Sequence, residues 1–290
     1  DMKTGQLFYG TADATDLITD KRDPQVFDSN FNRLRFVPDS ESAPEIWIVS
    51  AGIHFVSFGT NMTEVTGDVP YYLDQYVKEN ANANLVYVQG AQLALTANKS
   101  TVSTEENTTL EKVQLYAAEV GRRLMAIDNE ELVSPLLNIK FKQIYLPIDN
   151  QILTLCADLG IYDATVVDIG DGNCEMVTEI GYMELGDDLA VFLAPGELEP
   201  AIAYGGAISA DDSWNGQSWD YPSMQDYIAD SGRKLLVFGF MNDEIGYILT
   251  DNDYRSILTE NEEINTTSGA AGSTIMENFM ALYDSINVPG

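Results

Sequence analysis

The chain has 290 residues, with 46 acidic side chains against 15 Lys and Arg, and a formal net charge of −31 at pH 7. Such a charge repels phosphate groups, so we expect no nucleic-acid partner and only poor binding to anionic membranes. One histidine and two cysteines exclude metal centres built from several histidines alone or from four thiolates.

The first half of the chain predicts strands and helices in alternation. In chain order we expect a strand at 32–37, a strand at 45–51, a helix at 69–79, a strand at 85–88 and a helix at 105–128. The strand at 45–51 is nearly all apolar, which indicates a central position in a sheet. The helix at 105–128 has acidic residues at its start and arginines towards its end, as the helix dipole favours.

The middle of the chain is rich in predicted strands. They are expected at 136–147, 152–156, 174–185 and 189–193, with turns at 170–173 and 186–188. Cys156 and Cys174 lie in two of these strands. We favour two buried free thiols, because free cysteine is usually buried, while a contact between them across a sheet stays open.

In the last third, α/β alternation returns. Helices are expected at 197–203, 223–230 and 270–286, with a strand at 234–238 and a loop at 209–222. The loop is rich in Asp, Ser, Trp, Gly and Tyr. An acidic surface loop held by its own aromatic side chains is favoured over a site for a sugar or a polar head group.

These elements predict a single α/β domain over residues 1–290. It would have a mixed central sheet flanked by helices, with additional antiparallel strands in the middle of the chain. No internal repeat or low-complexity linker divides the sequence. The apolar stretches are far shorter than the roughly 20 residues that cross a bilayer, so no transmembrane segment is expected.

Several polar side chains follow apolar strands directly. His54, Glu197 and Tyr247 each come just after such a strand, and Gln89 ends a fourth. Because ligands bind at the carboxyl ends of strands in α/β sheets, these tips would outline a polar site if the strands share a sheet. Each residue also has an ordinary structural interpretation: a core histidine, a turn glutamate or a packed tyrosine.

At these same positions the sequence resembles the neutral/alkaline ceramidase family, the non-lysosomal zinc amidases. Four segments carry the resemblance in the family's order: 51–55 with 66–73, 84–91, 193–197 and 235–254. The resemblance implies an α/β catalytic domain that hydrolyses the amide bond of an N-acyl lipid. It also implies an extracellular or cell-surface location, which the acidic composition suits.

The resemblance assigns candidate roles residue by residue. In that family zinc is held by two His, one Glu and one Tyr; by position, His54, Glu197 and Tyr247 would be metal ligands. Thr96 stands in the place of the catalytic serine, and Asp68 matches an aspartate that leads into a helix, so both are catalytic candidates. Imidazole and carboxylate suit zinc, and a bound cation favours an ionised phenol.

The sequence also departs from the family pattern. The family's first His-x-His segment has no counterpart, so that part of the domain is either outside this chain or lost. Ala94 replaces an acidic loop residue, and Thr259 stands where a second tyrosine is expected. The leading hypothesis is therefore a ceramidase-like zinc amide hydrolase with a divergent catalytic loop. The alternative is a catalytically degenerate member that binds a ligand or a partner.

Overall fold

Runs of strands separated by helices make up most of the chain. The computed structural model describes residues 3–59, 62–206, 209–256, 258 and 262–287. The strands are β1 (Gly5–Asp13), β2 (Ile18–Asp20), β3 (Asn30–Pro38), β4 (Glu45–Ala51), β5 (Ala83–Gln89), β6 (Leu95–Ala97), β7 (Glu131–Leu132), β8 (Leu137–Ile148), β9 (Thr165–Gly170), β10 (Asn173–Leu185), β11 (Leu189–Leu193), β12 (Glu197–Leu198), β13 (Lys234–Phe238) and β14 (Tyr247–Ile248). The helices are α1 (Asp68–Ala81), α2 (Thr109–Met125), α3 (Gln151–Asp158), α4 (Pro200–Tyr204), α5 (Met224–Tyr227) and α6 (Ala271–Asn287).

The chain divides into two compact units. Unit 1 comprises Asp1–Lys21, Ser29–Gln89 and Leu95–Pro135. Its main sheet has the strand order β5-β4-β3-β1-β7, in which β4 and β5 run parallel and the other neighbours antiparallel. Strand β4 lies between two neighbours, so its predicted central position is confirmed. A separate antiparallel pair joins β2 to β6.

Helices α1 and α2 belong to unit 1. The apolar side chains of α1 recur every four residues and are fully buried at Val69, Leu73 and Val77. The second helix was predicted from residue 105 but begins at Thr109, because Thr108 and Glu111 form a capping box that starts it there. The acidic residues ahead of this box therefore lie outside the helix.

Unit 2 comprises Arg22–Asp28, Gly90–Ala94 and Leu136–Gly290. Its larger sheet has the order β13-β11-β10-β8, with β9 also paired to β10, and β11 and β13 run parallel. A small parallel sheet joins β12 to β14. In the core, the ring of Phe279 in α6 packs edge-on against the rings of Phe192 and Tyr182, with ring-centre distances of 5.3 Å and 6.1 Å. The mixed α/β class and the antiparallel strands in the middle of the chain are confirmed.

One predicted strand is wrong. Residues 152–156 lie in helix α3, because the Asn150 side chain accepts hydrogen bonds from the backbone N–H groups of Ile152 and Leu153 and caps the helix. A short apolar run cannot be assigned by periodicity alone. Cys156 is therefore on a helix and Cys174 on β10; both thiols are free, and both are half-buried rather than buried.

The helix predicted at 197–203 is shorter than expected. It begins only at Pro200, and Glu197 belongs to strand β12 instead. The proline at the first helical position favours this start. Similarly, the helix predicted at 223–230 is the single turn α5 followed by a 3-10 turn at Ala229–Ser231.

No helix among the described residues is both long and apolar enough to cross a membrane. The expectation of a single domain stays a prediction.

Candidate functional site

In unit 1, His54 lies three residues past the end of β4. Its backbone N–H donates to the carbonyl oxygen of Leu95 at 2.9 Å, and its ring Nδ1 lies 2.9 Å from the same oxygen. A carbonyl can only accept, so Nδ1 carries a proton, and in the neutral form of the ring Nε2 then carries the lone pair. This is the tautomer in which a histidine ligates a metal through Nε2.

Thr96 directly follows the residue that holds the imidazole. It forms a parallel bridge with His54, and its hydroxyl donates to the carbonyl of Thr19 at 3.5 Å across the β2–β6 pair. The structure therefore brings the predicted imidazole ligand and the catalytic candidate Thr96 together on adjacent backbone segments.

Asp68 begins α1 with a left-handed backbone, at φ 46°. Its Oδ2 accepts a hydrogen bond from the N–H of Ser57 at 2.8 Å, and its Oδ1 accepts one from the N–H of Val69 at 2.7 Å. Both carboxylate oxygens thus tie the segment after His54 to the start of α1. The catalytic role of Asp68 stays a prediction.

In unit 2, the structure brings Glu197 and Tyr247 together. They are register partners in the parallel pair of β12 and β14, and the N–H of Glu197 donates to the carbonyl of Gly246 at 3.0 Å. Both side chains are half-buried. A carboxylate and a phenol are thus presented side by side from two short strands.

Two glycines allow these strands to approach. A Cβ on Gly196 would lie 2.4 Å from the carbonyl oxygen of Gly246. Gly246 has φ 89°, and a Cβ there would lie 1.9 Å from the carbonyl oxygen of Asn265. Any side chain at either position would displace the residue that follows it, Glu197 or Tyr247.

The surroundings of Tyr247 keep its phenol protonated. Burial raises the pKa of Tyr247 to about 12, and the negative charges of Glu197, Glu262 and Glu244 act in the same direction. At neutral pH the group is therefore a neutral phenol, and only a nearby cation would favour the phenolate.

Gln92 contacts Glu197, although no pattern in the sequence indicates this contact. Its Nε2 donates to Oε2 of Glu197 at 3.1 Å, and the residue is 1% exposed. Glutamine has no characteristic spacing in the sequence, so no pattern identified it. This hydrogen bond restricts the orientation of the Glu197 carboxylate.

A second group that the sequence did not reveal surrounds Arg22, in the same unit. Its guanidinium contacts Asp253, lies 3.3 Å from Glu262 and lies 3.8 Å from Glu263, whose side chain is fully buried. Burial raises the pKa of nearby Glu199, which accepts the N–H of Thr250 at 2.6 Å. The positive charge of Arg22 therefore offsets the negative charges of Asp253, Glu262 and Glu263.

The donor types at Glu197 and Tyr247 fit a zinc ion, and a buried amide group of Gln92 supports the carboxylate. Within the described residues, no group of three or more His, Cys, Asp and Glu side chains is arranged to hold a metal. Since His54 belongs to unit 1 and the other two ligand candidates to unit 2, the three-residue zinc set stays a prediction.

The structure describes the whole of the loop at 209–222, which is called the aromatic loop below. Trp219 is 7% exposed and its ring lies 5.0 Å from that of Tyr221, as expected for a loop held by its own aromatic side chains. Trp214 is 63% exposed, with the guanidinium of Arg255 4.8 Å above its ring. Thr259, where the family pattern has a tyrosine, lies outside the described residues.

Comparison with solved structures shows where this fold occurs. The crystal structure of neutral ceramidase from Pseudomonas aeruginosa matches with a TM-score of 0.70 and 15% sequence identity, over 99% of this chain and 53% of that one. A structure described as ceramidase complexed with C2 matches with a TM-score of 0.68 and 15% identity, over 99% of this chain and 54% of that one.

The chain spans about half the length of the structures it matches. No protein-family model matches it, and no curated protein matches it at a significant level. The chain has the fold of about half of a neutral ceramidase, and the resemblance inferred from its sequence is confirmed at the level of the fold.

Proposed function

We propose that this protein is a ceramidase-like, zinc-dependent amide hydrolase that acts on an N-acyl lipid. The observation that carries the proposal is the pairing of Glu197 with Tyr247. These are two of the residues to which the sequence resemblance gives ligand roles, and the fold places them side by side. The likeness in fold to ceramidase structures supports a lipid amide as the substrate class.

Glu197 and Tyr247 would hold the ion, and the sequence assigns His54 as the imidazole ligand through Nε2. When bound, zinc lowers the pKa of water towards about 7 and polarises an amide carbonyl. The phenol of Tyr247 would give up its proton on binding, because its pKa of about 12 keeps it protonated otherwise. Thr96 would supply a hydroxyl beside His54.

The test combines metal analysis with hydrolysis. Purified protein should carry about one zinc ion per chain, and a chelator should abolish cleavage of a short-chain N-acyl sphingosine. Substituting Glu197→Ala should weaken zinc binding, measured by calorimetry, by about 10- to 100-fold. Protein that holds no zinc and melts at the same temperature with and without chelator would exclude the metal-dependent hydrolase.

A second candidate function is ligand binding without catalysis. Ala94 stands where the family has an acidic residue, has φ 62°, and is buried in a small apolar cluster with Leu93, Leu249 and Tyr247. An apolar residue there favours retention of a lipid over proton transfer. In that case Trp214→Ala should reduce lipid binding more than His54→Ala, and zinc should not alter it.

A further inference from the structure

The amide group of Gln92 is bonded at one end only. Its Nε2 donates to Oε2 of Glu197 at 3.1 Å, whereas its Oε1 is buried and has no hydrogen-bond partner within the described structure. A buried acceptor without a donor destabilises the folded protein. Native proteins rarely keep such an atom unless water or a ligand satisfies it.

Gln225, in the same unit, shows what a purely structural glutamine does. Its Nε2 donates to the carbonyl of Arg233 at 3.2 Å, and its Oε1 accepts the N–H of Leu235 at 2.7 Å. Both ends of that amide are bonded to backbone. The open acceptor of Gln92 therefore distinguishes it from a glutamine that merely ties loops together.

The segment around Gln92 is held close to both candidate ligands, Glu197 and Tyr247. The N–H of Leu93 donates to the carbonyl of Leu198, the residue after Glu197, at 3.3 Å. Leu93 also belongs to the apolar cluster against which Tyr247 packs. Gln92 is thus held beside Glu197 by its side chain and beside β12 by its neighbour's backbone, so its amide group has little freedom to reorient.

We propose that Gln92 has two roles, Nε2 positioning the carboxylate of Glu197 and Oε1 accepting a hydrogen bond from an N–H or O–H of the bound N-acyl lipid. This inference rests on the proposed function. An N-acyl sphingosine offers both kinds of donor, a secondary amide and hydroxyl groups. If the amide N–H is the donor, this acceptor disfavours an ester or a tertiary amide, which lack that N–H; if a hydroxyl is the donor, it disfavours the corresponding ether.

The positioning role is tested by zinc affinity, measured by calorimetry on metal-stripped protein. Gln92→Met keeps the size of the side chain and removes both polar atoms, and should weaken zinc binding by about tenfold or more. Gln225→Met is the matched control: it should lower the melting temperature and leave zinc affinity unchanged. Since Gln92 acts through Glu197, adding Gln92→Met to Glu197→Gln should cause no further loss.

The acceptor role is tested with three probes in detergent micelles: N-acetylsphingosine, its N-methyl amide and its 3-O-methyl ether. The wild type should bind one of the two methylated analogues about tenfold more weakly than the parent, which identifies the amide or the hydroxyl as the donor. Gln92→Met should bind the parent and that analogue equally, and Gln225→Met should discriminate like the wild type.

The outcomes distinguish a failure of the role proposed for Gln92 from a failure of the proposed function. Unchanged zinc affinity and unchanged discrimination in Gln92→Met would overturn the role of Gln92 and leave the proposed function intact. A wild-type protein that binds neither zinc nor N-acetylsphingosine would overturn the proposed function, and the role of Gln92 with it.

Discussion

His54 and Thr96 are bridge partners, and the carbonyl of Leu95, the residue before Thr96, accepts hydrogen bonds from both the backbone and the ring of His54. The backbone of β6 therefore orients the Nδ1 side of the imidazole. Because the contact is to a carbonyl, side-chain changes at Thr96 can remove its hydroxyl while the histidine keeps its tautomer.

Substituting Thr96→Val should separate chemistry from metal binding. Valine has nearly the shape of threonine but no hydroxyl, so a catalytic hydroxyl at Thr96 would be lost and kcat should fall by roughly 10³-fold. Thr96→Ser should retain most of the activity. Zinc affinity should be unchanged in both variants, because the His54–Leu95 hydrogen bonds remain. Wild-type turnover in Thr96→Val would rule out a catalytic role for the Thr96 hydroxyl.

Zinc binding should release a proton from Tyr247. The phenol has a pKa of about 12, raised by burial and by neighbouring carboxylates, so it is protonated in the metal-free protein at neutral pH. A phenolate ligand then requires about one proton released per zinc, and zinc affinity should rise about tenfold per pH unit. Calorimetry in buffers of different ionisation enthalpy measures this number directly.

Tyr221→Phe is the matched control for this measurement. A hydrogen bond to Glu277, with partial burial, raises the pKa of Tyr221 to about 12 as well, but this residue is not a ligand candidate. Proton release should fall by about one proton per zinc in Tyr247→Phe and stay unchanged in Tyr221→Phe. Proton release that is the same in Tyr247→Phe as in the wild type would show that Tyr247 does not bind the metal as a phenolate.

The sequence predicts elements best where an apolar period is long or a motif is local. The central strand β4 is confirmed, and the apolar strands predicted ahead of Glu197 and Tyr247 are present as β11 and β13. The sequence did not predict helix α3 because an apolar run this short does not distinguish a helix from a strand, and the feature that decides it is the single cap Asn150.

Long-range partners were not predictable from one sequence. Gln92 meets Glu197 across 105 positions, and Arg22 meets Asp253 across 231. Neither residue type has a spacing that indicates such a contact. The two-residue strands β12 and β14 could not be predicted from the sequence either, because they are too short to show alternation and depend on the glycines before them.

Arg22→Met should destabilise the protein strongly and in a pH-dependent way. It leaves the buried Glu263 and its neighbours without their cation, which should cost about 3–5 kcal/mol of unfolding free energy near neutral pH. The exposed Arg122, which pairs with Glu119, is the control, and Arg122→Met should leave the free energy of unfolding almost unchanged.

The pH dependence follows from Glu199. Burial raises its pKa above the ordinary value of 4.5, so the folded state favours the protonated carboxyl and loses stability as the pH rises through the folded pKa. Without the charge of Arg22 this pKa should rise further. The loss in Arg22→Met, measured by urea unfolding, should therefore be smaller near about pH 5 than near about pH 7. Equal losses at both pH values would contradict this explanation.

Gly246→Ala should damage both stability and metal binding, because it acts on the strand that carries Tyr247. A non-glycine residue in a left-handed conformation costs about 1–2 kcal/mol by itself. At Gly246 the new Cβ would also lie 1.9 Å from the carbonyl of Asn265, so β14 must move and the total loss should reach at least about 3 kcal/mol.

Gly216→Ala isolates the backbone cost, since Gly216 has a similar φ of 69° and no atom within 4 Å of the new Cβ. Urea unfolding should show the larger loss at Gly246, and zinc titration should show weaker binding there alone. If the two variants lose the same free energy and bind zinc equally, the close approach of β14 to Asn265 is not what holds Tyr247 beside Glu197.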